Sequence, residues 1–420
     1  MLTYWRFYWP LVLTGMAVVL SNQFQNATLA RYPNAVEELA VLALAYGVYG
    51  FFQAGLQFFS QLANVYARSA PALARATRFS LAGSIILSLP LLAIALLPAG
   101  RTFMQLAFDI DPALAGRVAD YLLWMTPLVV LNARRHFLTG LLIQVRRSGS
   151  VTLFNVVYLA LVLAGLLGGF HLGLAPMHVV IGAELAGITA LVALLTWARH
   201  ALWALPATAE HGEVTYKELL AFFVPVSMTG LMFALSRPVL FAFVARSPDG
   251  LLTIAALRVA FDFTMLFQQA ANQFRHFFIT FGTDALAEKR RFMVYVSVGL
   301  TVLMGLFVVT PLADLIWGEL MQLPEALMAA ALQALAVMCL APAIIVYRNY
   351  FHSRLMLARA TTGMALGSMA RVAGIALGAG ALFATGALDP VSAAACLVAG
   401  FVVEAAFSQA AFRRASATSP

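Results

Sequence analysis

The sequence predicts an all-α polytopic membrane protein, with twelve transmembrane helices in two pseudo-symmetric six-helix lobes. Three observations carry that prediction. Of the 420 residues, 62% are hydrophobic and 10% charged, whereas an average soluble domain carries about a quarter charged residues. The apolar stretches run 20 to 30 residues, long enough to cross a hydrocarbon core roughly 30 Å thick as helices. The chain also repeats itself at a fixed, ungapped offset of 215 residues.

Apolar runs between polar breaks place the first six spans near residues 10–30, 38–66, 77–98, 118–143, 151–170 and 175–197. The second six lie near 220–245, 251–282, 292–313, 327–353, 362–385 and 390–412, each set by an apolar stretch of helical length. Met1 to Pro10 lacks the charged region, short apolar core and small-residue cleavage site of a signal peptide, so the first span is expected to be retained. Cys339 and Cys396 both fall inside apolar stretches, where a thiol behaves as a small buried hydrophobe and forms no disulfide framework or metal site.

Positive residues near span ends prefer the cytoplasm. One side of this map holds fifteen Lys and Arg, including Arg75, Arg147, Lys289, Arg354 and Arg414. The other holds only Arg31, Arg101, Arg117 and Arg246, together with acids such as Glu37, Glu38, Asp109 and Asp111. Both termini are therefore expected in the cytoplasm of a multi-pass plasma (inner) membrane protein, and the even span count agrees. The formal charge of +8 is then a topology signal with a secondary attraction to anionic lipid, not a nucleic-acid footprint.

The repeat pairs Phe7 with Phe222, Pro10 with Pro225, Thr14 with Thr229, Ser21 with Ser236, Gln53 with Gln268 and Pro127 with Pro342. It predicts an N-terminal lobe over residues 1–200, a cytoplasmic linker over 201–217 and a C-terminal lobe over 218–420. Six spans per lobe is an even number, so both lobes insert the same way about an axis along the membrane normal, and transporters place their substrate site between such lobes.

The lobe openings Phe7-Tyr8-Trp9-Pro10-Leu11 and Phe222-Phe223-Val224-Pro225-Val226 resemble those of the multidrug, oligosaccharidyl-lipid and polysaccharide exporter superfamily. Finer matches resemble a bacterial-type member of its progressive ankylosis (ANK) family. They are Leu44-Ala45-Tyr46 with Phe51-Phe52, Leu235-Ser236-Arg237-Pro238, Phe274-Arg275, Pro342 before Arg348, Ser368 to Arg371, and Ala399-Gly400-Phe401-Val402 before Glu404. The resemblance spans nearly the whole chain. It implies a two-lobed exporter of small polyvalent anions, with citrate, pyrophosphate and nucleoside triphosphate as the candidates. The long acidic tail of animal members has no counterpart in the six residues after Arg414, so tail-mediated regulation is not expected.

A charge count points to an anion independently. Seven arginines fall within spans (Arg134, Arg135, Arg237, Arg258, Arg275, Arg348 and Arg371), against three acids, Glu184, Asp262 and Glu404. An arginine at mid-helix costs about 2.5 to 3.5 kcal/mol on insertion scales and keeps its proton, so it usually faces a wet cavity or a counter-ion. Guanidiniums suit carboxylates and phosphates because the planar fork gives two charge-assisted hydrogen bonds per oxyanion. Arg237, Arg348 and Arg371 are deep and expected to line an inter-lobe cavity. Arg134, Arg135 and Arg275 lie toward the cytoplasmic side, where a cavity role and snorkelling to headgroups both stay open. Arg258 and Asp262, four residues apart, read as an intrahelical pair.

Tyr46, Gln53 and Asn132 are candidates for a polar lining, together with Gln268, Asn272 and Asn349, although hydrogen bonding between helices serves equally. Glu404, Glu184 and His136 are candidates for ion coupling or gating. Ion pairing of Glu404 with Arg371, or of Glu184 with Arg134, would keep either acid ionised and inert. The pairs Gly363 with Gly367 and Gly374 with Gly378 require only close helix packing.

No G-x-x-x-x-G-K-[ST] loop, H-E-x-x-H, cysteine–histidine metal spacing or G-x-S-x-G elbow occurs, so neither nucleotide hydrolysis nor a cofactor is expected and the chain is not read as an enzyme. An intramembrane enzyme lacks its facing carboxylates, and a cation-coupled drug exporter should expose acids rather than arginines. A flippase for a lipid-linked anionic saccharide is the closer rival, and twelve spans without an extra helix for the lipid tail weigh against it. The expected partners are a small polyanion and the bilayer. A monomer is the simplest assembly, with the oligomeric state open.

Overall fold

The computed structural model describes residues 1–29, 31–33, 35–108, 111–204, 214–244, 246–282, 284–320 and 325–417. Asp109 and the central part of the expected linker, 205–213, lie outside the described residues. No strand occurs among the described residues, and nine helices there are long and apolar enough to cross a membrane. The other three expected spans correspond to Leu2–Leu29, Ala35–Gln53 and Gly250–Asn272. An additional helix, Pro98–Phe108, follows the third span and was not among the expected elements.

Helix starts follow ordinary capping chemistry. Asp111 Oδ1 accepts from the amides of Ala113 and Leu114 at 2.8 and 2.9 Å, with Pro112 at the first helical position of Pro112–Gln144. Thr215 and Glu218 exchange side-chain and backbone hydrogen bonds of 2.7 and 3.2 Å ahead of Tyr216–Val244. This reciprocal arrangement satisfies two amides that the helix itself leaves without partners.

Three spans are broken where the sequence reads as continuous. The second span becomes Ala35–Gln53, a short 3-10 turn and then Phe59–Tyr66. The eighth becomes Gly250–Asn272 followed by Phe274–Phe281. The two terminal segments are each 8 residues long and fall in the register of the 215-residue repeat, so the break is itself a repeated feature. The tenth span is also broken, into Glu325–Met338 and Ala341–Leu357 with Pro342 in the first turn of the second piece. Its counterpart, Pro112–Gln144, runs through Pro127 without interruption.

The chain divides into two compact units, Trp9–Phe223 and Met1–Tyr8 with Val224–Pro420. Each unit therefore includes the opening turns of the other half's first span. In the C-terminal unit, the ring of Phe7 meets Phe281 at 5.1 Å and that of Tyr8 meets Phe274 at 4.7 Å. In the N-terminal unit, Phe222 meets Tyr66 at 5.3 Å and Phe223 stacks on Phe59 at 4.3 Å. These are the same two contacts shifted by the repeat. Tyr8 also donates its hydroxyl to the Ala270 carbonyl at 2.6 Å, which gives the buried phenol the partner it requires.

Candidate functional site

In the C-terminal unit, the last two helices, Thr362–Ala384 and Pro390–Ala417, approach closely because small residues line their contact. A Cβ on Gly367 would lie 3.2 Å from the Glu404 carbonyl oxygen, and one on Gly400 would lie 2.8 Å from Ile375 and 3.0 Å from the Arg371 side chain. Gly363 faces Ala411, and Gly378 faces the Cys396 sulfur, so the glycine pairs serve the packing their spacing suggests. That approach sets Arg371 on one helix against Glu404 on the other.

Arg348, from Ala341–Leu357, completes the centre. Glu404 Oε2 accepts from Arg348 Nη1 at 2.9 Å and from Arg371 Nη1 at 2.5 Å, while Ser368 Oγ donates to Oε1 at 2.6 Å. Arg348, Arg371 and Glu404 are only 2%, 1% and 1% exposed, so two guanidiniums share one carboxylate away from solvent. Among the described residues, the Nε and Nη2 of Arg371 have no acceptor. Its guanidinium instead lies 5.5 Å from the Phe233 ring and 5.3 Å from the Phe401 ring, where a cation is attracted to the ring faces.

Asn349 is a second hub. Its Oδ1 accepts from Arg275 Nε at 2.9 Å and from Arg348 Nη2 and Nε at 3.1 and 3.4 Å. Its Nδ2 donates to the Ala271 carbonyl at 2.9 Å, which fixes the amide with its oxygen toward the arginines. Ala271 and Asn272 stand at the break in the eighth span, and Asn272 Oδ1 accepts from Arg348 Nη2 at 3.3 Å. The break therefore places an amide oxygen and Arg275 beside Arg348. His352 joins through Ser408, whose hydroxyl donates to the Glu404 carbonyl at 2.8 Å and meets His352 Nε2 at 3.0 Å.

Arg237 does not enter this centre directly. Its Nη1 donates to Asp262 Oδ1 at 3.1 Å, and its guanidinium lies 3.8 Å from the Phe261 ring centre. Phe261 neighbours Phe233 at 6.3 Å, and Phe233 faces Arg371, so aromatic rings link Arg237 to the buried cluster. The expected intrahelical pair is present only at 3.9 Å, between Arg258 Nε and Asp262 Oδ2. The better-placed partner of Asp262 comes from the neighbouring helix, which spacing along one helix does not reveal.

The N-terminal unit holds a carboxylate in different company. Glu184 accepts from Tyr158 at 2.7 Å and from Gln25 at 3.1 Å, Tyr46 donates to Gln25 at 2.9 Å, and Ser21 meets the Tyr158 hydroxyl at 3.4 Å. No arginine among the described residues lies within ion-pairing distance of Glu184, Arg134 included. Asn132 donates to the Tyr49 hydroxyl at 3.1 Å, and Arg135 meets its neighbour His136 at 3.2 Å. Arg134 is half-buried, and Gln53 is the half-buried last residue of Ala35–Gln53.

Of the fifteen candidate residues, the structure thus gathers Arg275, Arg348, Arg371, Asn272, Asn349 and Glu404, and separately ties Tyr46 to Glu184 through Gln25. The roles of Gln25, Tyr158 and Ser368 as partners are new. A hydroxyl or amide isolated in an apolar span was the sequence signal for Gln25 and Tyr158, whereas Ser368 opens one of the motifs that carry the family resemblance.

A sequence model of the progressive ankylosis protein (ANKH) family matches residues 1–301. Among solved structures, the chain is similar to an outward-facing multidrug resistance MATE family transporter of the MOP superfamily, at 14% identity over 99% of this chain and 96% of that one, with a TM-score of 0.73. A Vibrio cholerae MATE transporter matches at 13% identity over 99% and 97%, with a TM-score of 0.75. A MOP superfamily transporter from Pyrococcus furiosus, described by a reversed polarity of its binding pocket that suggests a different function, matches at 14% identity over 99% and 96%, with a TM-score of 0.66. At these identities the likeness establishes the fold, that of two-lobed, multi-pass membrane transporters.

Proposed function

The chain belongs to the progressive ankylosis protein (ANKH) family, and from that premise we propose that it is a membrane transporter exporting small polyvalent anions by alternating access. The substrate class is that of citrate, pyrophosphate or a nucleoside triphosphate. The observation that carries the reading is that two buried guanidiniums, those of Arg348 and Arg371, converge on the single carboxylate of Glu404 in the C-terminal unit. Buried guanidiniums that outnumber their carboxylates favour a ligand bearing several oxyanions. The reversed pocket polarity described for the Pyrococcus furiosus transporter supports this reading by analogy.

In this reading Arg275, Arg348 and Arg371 seat the anion, with Arg237 at the end of the aromatic ladder. Tyr46, Gln53, Asn132, Arg134 and Arg135 form the polar candidates of the N-terminal unit itself. The protein sits in the inner membrane with both termini cytoplasmic, and an inside-negative potential drives the anion outward, each charge contributing about 2.3 kcal/mol per 100 mV. The test is pyrophosphate and citrate flux in proteoliposomes. Arg348→Ala and Arg371→Ala each remove a charge-assisted contact worth about 1.5 to 3 kcal/mol, so affinity should fall roughly tenfold or more in folded protein. Unchanged flux in both variants would refute the assignment.

A further inference from the structure

We propose that the Glu404 carboxylate is a tethered stand-in for the transported anion, holding the arginine seat when it is empty and setting the minimum charge a substrate must carry to displace it. The inference rests on the anion-export reading and locates its valence selectivity in one side chain.

The geometry supports a stand-in better than a simple structural pair. Both arginines use the same oxygen, Oε2, while Oε1 is occupied by Ser368 Oγ. One carboxylate therefore satisfies only one N–H of each guanidinium, although each guanidinium carries five. The surplus is visible on both sides. Arg371 keeps two buried nitrogens without acceptors among the described residues, and Asn349 Oδ1, a neutral oxygen, takes three guanidinium contacts. A phosphate or a tricarboxylate supplies more oxygens and more charge than Glu404 can. Without any anion, two buried guanidiniums would be left with neutral amide partners and the rings of Phe233 and Phe401, a state that burial makes costly. Glu404 fills that role at unit charge.

Valence selection follows from the exchange. A monoanion entering the seat replaces one negative charge by another and must also release a tethered competitor at high effective concentration. A polyvalent anion brings additional charge and oxygens to donors that Glu404 leaves unused, so it wins the exchange. Small monoanions are excluded without any size filter.

The test uses full-length protein in detergent micelles and radiolabelled pyrophosphate, with acetate in excess as a competing monoanion. Glu404→Gln should bind pyrophosphate roughly tenfold or more tighter than the wild type, because the amide no longer competes for the guanidiniums. Acetate should compete with pyrophosphate in Glu404→Gln and have little effect on the wild type. Arg371→Ala should bind pyrophosphate weakly in either background. If Arg371→Ala is impaired while Glu404→Gln binds no tighter and acetate acts alike on both, the export reading stands and the stand-in is wrong. If neither pyrophosphate nor citrate binds the wild type or Glu404→Gln, the export reading fails and takes the stand-in with it. Should Glu404→Gln not fold, Glu404→Asp keeps the charge on a shorter arm. A several-fold gain in affinity is then expected, and unchanged affinity overturns the proposal.

Discussion

Glu184 and Glu404 stand in the sixth and twelfth spans, equivalent helices of the two halves although five residues apart in the 215-residue register, and their surroundings differ in charge. Around Glu184 the donors are a phenol and an amide, from Tyr158 and Gln25. Around Glu404 they are two guanidiniums and a hydroxyl, from Arg348, Arg371 and Ser368. Neutral donors serve a carboxylate, a protonated carboxyl or an amide with modest adjustment. Guanidiniums require the negative charge, because removing it leaves buried cations without a counter-ion. One scaffold thus holds a carboxylate that can change its charge state and one that cannot do so without a replacement anion.

The largest expected effect tests that contrast directly. In buffer free of polyanions, Glu404→Ala should lower unfolding stability by about 3 to 5 kcal/mol, the cost of breaking a buried pair from one side. Glu184→Gln should cost about 1 kcal/mol or less, since Tyr158 and Gln25 can still bond to the amide. Thermal unfolding of both variants in the same detergent decides it. Equal losses would break the comparison, and recovery of Glu404→Ala by added pyrophosphate would sharpen it.

A second contrast concerns the broken helices. In the N-terminal unit, a Cβ on Gly140 would collide with the Ser60 carbonyl, so Pro112–Gln144 and Phe59–Tyr66 meet backbone to backbone. In the C-terminal unit the corresponding segments, Ala341–Leu357 and Phe274–Phe281, are joined by the hydrogen bond from Arg275 to Asn349. The glycine gives way to Leu355 in the repeat register, and Ser60 to Arg275. Gly140→Ala should therefore destabilise by about 1 to 3 kcal/mol, because backbone cannot yield as a side chain does. A circular-dichroism melt indistinguishable from wild type would show that the two segments do not meet this way.

These contrasts also mark what the sequence could disclose. Span positions were legible because apolar length is set by bilayer thickness, and the repeat was legible because its identities keep one register through Pro127 and Pro342. The excess of arginine over acid was legible as a count. Its distribution was legible only in part: the pairings of Arg258 with Asp262 and of Arg371 with Glu404 follow from the sequence, whereas Arg237 on Asp262, Arg348 on Glu404 and the lack of an arginine partner for Glu184 among the described residues do not. Pairing across helices depends on rotation and depth, which hydropathy does not encode. The break after Asn272 has no proline to announce it, and Asn349 reads as one polar residue among several until the break brings Arg275 beside it.

The smallest expected effect concerns energy coupling, where the two carboxylates again diverge. If a proton contributes to transport, Glu184 is the better-placed acid, because its hydrogen-bond donors, Tyr158 and Gln25, are neutral and no guanidinium among the described residues is bonded to it. Glu404 is bound to two guanidiniums and is unsuited to that role in the same conformation. A polyvalent anion leaving an inside-negative compartment already moves down its electrical gradient, so a proton adds little to the driving force. Glu184→Gln in proteoliposomes should therefore leave voltage-driven pyrophosphate export within about threefold of wild type, the scale of one net hydrogen bond of roughly 0.5 to 1 kcal/mol. Any response to an imposed pH gradient should disappear in the same variant. Export that follows the pH gradient and ignores an imposed potential would reverse the assignment, making Glu184 a required coupling site and the voltage term incidental.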